Sequence, residues 1–79
     1  MVLLIKTQGN ELSSVFYVSS VVRAWEIIME EIRSIAEDEK MTSEEIDEST
    51  TFYPDGASLE WREETHWNVV DVEDIDYIK

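Results

Sequence analysis

The side chains able to do chemistry in this 79-residue chain are overwhelmingly carboxylates, nineteen Asp and Glu against six Lys and Arg and a single His. They fall in runs: Glu37, Asp38 and Glu39; Glu44, Glu45, Asp47 and Glu48; and Asp71, Glu73, Asp74 and Asp76. Crowded carboxylates have three common uses, which are general acid/base catalysis, binding of a hard cation, and presentation of negative charge to a basic partner. Catalysis needs one carboxyl desolvated and set apart from its neighbour, in a cleft that 79 residues leave little material to build. A calcium loop needs D-x-[DN]-x-[DN]-G with a distal Glu; residues 71–76 (DVEDID) lack the glycine, and Asp55-Gly56 is followed by Ala57 and Ser58. With two glycines and no Cys, no phosphate-cradling loop and no thiolate metal site can be written. His66 stands alone in a strand-like stretch, without a Ser elbow or a second ligand at helical spacing. No catalytic residue, metal site or cofactor is therefore expected, and the protein is not expected to be an enzyme.

Presentation of charge is what remains. On an extended segment, residues two apart project to the same side about 6.6 Å apart, so Asp71 and Glu73, or Asp74 and Asp76, form short rows of negative charge. A nucleic-acid backbone likewise presents regularly spaced monovalent anions, and a protein that reads only phosphates does not distinguish them from suitably placed carboxylates. The formal net charge is −13, whereas solubility of a small domain asks for a magnitude of only about 2 to 8. The excess costs stability through self-repulsion. It is also unevenly placed: residues 1–36 net −1 and residues 37–79 net −12. Direct contact with DNA, RNA or anionic lipid is disfavoured at long range, and a basic protein partner is favoured.

The elements that must position these acids can be read from periodicity. MVLLIKT (residues 1–7) and LSSVFYV (residues 12–18) are β-prone and flank Gly9-Asn10, so they read as a hairpin. Ser19 and Ser20 offer an N-cap, after which Val21, Trp25, Ile28, Ile32 and Ile35 line one face of a helix that fades near Lys40. Arg33 and Glu37 lie one turn apart on its outer face and are placed to pair. Residues 37–50 form an acidic connector with only Met41 and Ile46 to bury, in which Thr42 or Ser43 caps a short helical turn. Pro54-Asp55-Gly56 is a turn between strands at residues 50–53 and 57–62, with Leu59 and Trp61 on one face. Residues 65–72 are a third strand candidate in this half. At least two of the three tryptophans are expected in the core. The expectation is a single α+β domain over residues 1–79, order ββαβββ, with one amphipathic helix packed on an antiparallel sheet.

Leu, Ile, Val and Phe make up about 28% of the chain, above the roughly 20% associated with disorder, so the chain should fold. The longest apolar run, residues 1–5, is too short for a signal-peptide core or a membrane span. A soluble protein of a reducing cytoplasm is the expectation, with no membrane partner. A core this small, with sheet edges that no other element caps, favours a symmetric homodimer.

In size, acidity, absence of Cys and a helix-plus-sheet core with carboxylates crowded in one half, the chain resembles the small phage-encoded DNA-mimic inhibitors. That group includes blockers of uracil-DNA glycosylase, of restriction and CRISPR effectors, and a host-takeover protein that occupies the DNA-binding surface of the nucleoid protein HU. The resemblance implies a stoichiometric inhibitor, working in the cytoplasm of a bacterial host. Its partner-binding residues would be Glu37, Asp38, Glu39, Glu44, Glu45, Asp47, Glu48, Asp71, Glu73, Asp74 and Asp76, engaging Lys and Arg of a basic DNA-binding protein. The alternative is a small interaction module, antitoxin-like or a regulatory subunit, that binds mainly through an apolar patch while its acids steer encounter. Because like charges in residues 37–79 repel, monovalent salt should raise the melting temperature. Screening worth about 1 kcal/mol corresponds to a rise of roughly 4–8 °C. A thermal melt that stays flat or falls between low and moderate salt would mean that the acids are already compensated.

Overall fold

Alternation along β1, Val2–Gln8, sends Val2 and Leu4 to one side of a sheet and Leu3 and Ile5 to the other. The structure, a computed structural model, describes residues 2–9 and 11–71. Gly9 ends β1 in the left-handed region (φ 64°) and donates its N–H to the Glu64 carbonyl at 2.8 Å. The chain returns as β2, Glu11–Val18, antiparallel to β1, with one irregularity between Lys6 and Thr7 that leaves Ser13 unpaired. Then follow α1 (Val21–Asp38), a short α2 (Ser43–Ser49), and β3 (Thr50–Tyr53), β4 (Gly56–Glu60) and β5 (Glu64–Asp71). The spatial order is β2-β1-β5-β4-β3, and every neighbouring pair is antiparallel. The fold is α+β, a long helix on a five-stranded antiparallel sheet, with α2 as an added short helix in the connector.

Capping fixes the ends of α1. Ser20, in extended conformation, accepts from the Arg23 N–H at 3.1 Å. At the other end Lys40 takes φ 54°, its N–H donates to the Glu37 carbonyl, and the Met41 N–H donates to the Ala36 carbonyl at 2.9 Å. This double bond pattern is a Schellman motif with Lys where Gly is usual. The face turned to the sheet is Ala24, Ile28, Ile32 and Ala36, all buried; it is centred on the expected stripe, shares Ile28 and Ile32 with it, and has Trp25 and Ile35 partly buried at its flanks. Val21 is 39% exposed and Trp25 is half-buried against Phe52. Ile28 and Ile32 hold the centre of that face, and the alanines its ends. Across from the helix Trp67, 2% exposed, lies in β5 directly opposite Ala57 of β4 and Lys6 of β1. On the helix's outer face Arg23 pairs with Glu26 and Glu30 at 3.9 and 3.7 Å, in place of the expected Arg33 and Glu37 pair.

Val2, Leu4, Ala57, Leu59, Trp67 and Val69 complete the core beneath α1. Leu59 shares its face with Ala57, since β4 ends before Trp61. Of the tryptophans, Trp67 belongs to the core and Trp25 packs against it, while Trp61 is half-buried past the strand end. Among the described residues no helix covers the opposite face of the sheet. Its rows run Tyr17, Leu3, Val70, then Val15, Ile5, Asn68, then Leu12, Thr7, His66, Ser58. On it His66 is exposed and meets the Tyr53 ring edge to face, with centroids 5.9 Å apart.

Gly56 opens β4 where β5 passes closest. A Cβ there would overlap the Trp67 carbonyl oxygen and stand 3.2 Å from the Asn68 Cα. Both are backbone atoms that cannot move without breaking the ladder. Gly56→Ala should therefore destabilise by roughly 2–3 kcal/mol, the scale of overpacking, read as a lower midpoint in urea at unchanged slope. A midpoint equal to that of the wild type would mean that β4 and β5 are not held this close.

Candidate functional site

Three element ends and a short helix meet at one end of the domain, and most of the described acids sit there. The last turn of α1 carries Glu37 and Asp38, with Glu39 as its C-cap residue; it has no basic side chain. Residues 41 and 46 tuck α2 against Ala36, so that Glu44, Asp47 and Glu48 stand exposed beside that turn. The β4–β5 turn adds Glu60, Glu63 and Glu64, and Arg62 reaches across from it to Glu39 at 3.3 Å. Glu11, at the start of β2, lies at the same end, because Gln8 of β1 pairs with both Glu11 and Thr65. Between α1 and the turn is a shallow cleft of about 340 Å³, walled by Ile35, Asp38, Glu39, Trp61, Arg62 and Glu63.

Local chemistry holds α2 in place despite its seven residues. Thr42 accepts from the Glu45 N–H at 3.2 Å, and Glu45 accepts from the Thr42 N–H at 2.9 Å, a complete capping box. Glu44 and Glu45 fall in the first turn, where the positive pole of the helix favours them. Glu45 is thus a structural acid more than a displayed one, and Glu39 is engaged by Arg62. Among the described residues, Glu37, Asp38, Glu44, Asp47 and Glu48 are the exposed members of the expected set. On α2, Glu44 is three and four residues from Asp47 and Glu48, a spacing of about 5–6 Å between their Cβ atoms.

Several of these placements oppose local stability. Glu60 and Glu64 are direct cross-strand partners, and like charges in that position destabilise a sheet. Glu37, Asp38 and Glu39 stand at the negative pole of α1, where cations are favoured and anions are not.

The expected carboxylates do not all come together. Asp71 closes β5 opposite Val2, at the far end of the sheet from Glu64. Seven strand residues span roughly 23 Å, so Asp71 is about that far from the acidic end. Glu73, Asp74 and Asp76 lie outside the described residues. Glu60, Glu63, Glu64 and Glu11 were not among the expected residues; they are scattered in sequence, and only the antiparallel pairing of β1, β5 and β4 brings them to the end that α1 and α2 share.

Among the described residues no group of three or more His, Asp or Glu side chains converges to hold a metal ion, and no helix is long and apolar enough to cross a membrane. No family model, curated protein or solved structure matches the chain.

Thr42→Ala removes one half of the capping box and should cost about 1 kcal/mol. The loss should be local, because α2 is short and buries none of its residues fully. Amide exchange in residues 44–49 should quicken several-fold while the centre of α1 keeps its protection. Uniform acceleration across the domain would instead mean that α2 unfolds only with the whole.

Proposed function

We propose that the protein is a DNA mimic, a stoichiometric inhibitor whose acidic end occupies the basic nucleic-acid-binding surface of a DNA-binding protein. The observation that carries this reading is the convergence of acids from α1, α2, the β4–β5 turn and the start of β2 on one end. Some of them stand where they weaken the fold, as Glu60 and Glu64 do. Charge kept at a local cost in a domain of small stability calls for a use outside the fold. Proteins that read DNA by backbone and shape fit such a surface best, since an imitator of phosphates has charge and spacing to offer and no base edges. A nucleoid-associated protein of the HU type meets that description, and so do DNA-acting defence and repair proteins.

A second reading has its own observation. Val22, Trp25, Met29 and Phe52 leave an apolar flank along α1 and β3, with Val22 70% and Phe52 55% exposed. An interaction module would use that flank, with the acids steering its approach.

Displacement of labelled duplex DNA from a purified HU-type protein, titrated at two salt concentrations, tests the first reading against the second. A variant carrying Glu37→Gln, Asp38→Asn, Glu44→Gln, Asp47→Asn and Glu48→Gln removes five charges. Exposed ion pairs are each worth about 0.2–1 kcal/mol, so the loss of five should lower potency at least about fivefold. Its salt dependence should become shallower as well. A companion with Asp71→Asn, Glu73→Gln, Asp74→Asn and Asp76→Asn measures the share of the C-terminal acids. Potency equal to wild type in both variants rejects mimicry. A loss confined to Trp25→Ala or Phe52→Ala supports the apolar module.

A further inference from the structure

We infer that β2 is a homodimer interface, in which two copies pair edge to edge and antiparallel about a two-fold axis through Phe16, joining two five-stranded sheets into one of ten strands. The inference stands on the sheet edge and does not depend on what the acids bind.

The two edges of the sheet are treated differently. β3 is four residues long, enters directly from α2 and is followed by Pro54, so it offers little to a second strand. β2 is eight residues long, contains no Pro, Lys or Arg, and has Glu11 as its one charge. It is apolar and exposed on both faces: Leu12 (64%), Val15 (48%) and Tyr17 (75%) on the open face, Phe16 (39%) on the helix side. A strand with those properties, unpaired on its outer side among the described residues, is a template for association.

Charge and register choose the occupant. In a chain of net charge −13, most approaches between two copies are repulsive, but residues 12–18 carry no charge at all. A basic partner would gain nothing electrostatic from this edge, whereas a second copy meets its least repulsive surface there. The bulge at Ser13 leaves residues 14–18 as the regular part of the strand, and its centre is Phe16. Antiparallel pairing about that centre sets Val15 of each copy opposite Tyr17 of the other, Ser14 opposite Val18, and Phe16 opposite its own counterpart. The Val15 and Tyr17 pairing joins a β-branched to an aromatic side chain and the Phe16 pairing two aromatic ones, the favourable cross-strand combinations. Scaled by their exposure, Phe16 and Tyr17 alone offer roughly 200 Å² per copy. With Leu12, Val15 and the strand backbone the patch approaches the roughly 600 Å² per partner at which specific interfaces begin.

Sedimentation velocity on the whole chain at tens of micromolar should give a species of twice 9.2 kDa. Val15→Glu and Tyr17→Lys should each weaken dimerisation at least tenfold while leaving the far-UV circular dichroism unchanged. Mixing the two variants should restore dimers, because one Val15 and Tyr17 pairing is then native and the other joins opposite charges. Phe16→Cys, in a chain with no other Cys, should be cross-linked by a short bis-maleimide, and Thr51→Cys on the other edge should not. A 9.2 kDa species alone overturns the inference. So does a dimer untouched by both substitutions, or one cross-linked through Thr51→Cys in place of Phe16→Cys.

Discussion

The indole of Trp67 is the piece on which the two layers depend. It sits in the central strand of five, 2% exposed, with Ala57 and Lys6 as its lateral neighbours, and its N–H donates to the Glu31 carboxylate of α1. One side chain thus fills the space between sheet and helix and also ties the two by a directed bond. Lys6, 3.6 Å from the same carboxylate, shares the charge that burial would otherwise leave uncompensated. Truncation of a buried aromatic costs about 3–5 kcal/mol, a large part of what a domain this small has to lose.

Much of this arrangement was legible in the sequence, for a physical reason that also explains what was not. The hairpin around Gly9, the Ser20 cap, the Thr42 turn and the Pro54-Asp55-Gly56 turn are local events, decided by residues within a few positions of one another, and each formed where its chemistry placed it. The centre of the inward face of α1, Ile28 and Ile32, was legible, and what was not is its N-terminal end, where an apolar count ranks Val21 and Trp25 above Ala24 while it is Ala24 that is fully buried. Likewise the residues in the runs at 37–48 announce themselves as acidic, whereas Glu11, Glu60, Glu63 and Glu64 join them only through strand order. That order inserts β5 between β1 and β4, and nothing in the spacing of the strands along the chain required it.

The distribution of cations sharpens the contrast between the two halves of the molecule. Lys6 is spent inside, on Glu31, and Arg23 is spent on Glu26 and Glu30. At the acidic end Arg62 answers Glu39, and Lys40, exposed and with a left-handed backbone, adds a second cation at the close of α1. A non-glycine residue in that conformation carries a cost of about 1 kcal/mol. Compensation is therefore complete around the helix–sheet seam and partial at the end where α1, α2 and the strand turns meet. The same chain holds a neutral seam, a neutral edge and a charged pole, and each stretch of sequence contributes chiefly to one of them.

The close of α1 has a kinetic consequence. The aligned peptide dipoles of α1 amount to about half a negative charge at this end, the end that carries Glu37, Asp38 and Glu39. The backbone dipole and the side chains thus add to one field, which reaches beyond contact by about a Debye length, roughly 8 Å at physiological ionic strength. A field of that kind acts on the encounter before it acts on the complex: it turns an approaching basic surface and raises the association rate, in favourable cases toward about 10⁸–10⁹ M⁻¹s⁻¹. For the DNA mimic proposed above, which would have to reach its target ahead of an abundant polyanion, speed of arrival would count as much as strength of grip, and the geometry of one helix end would supply it.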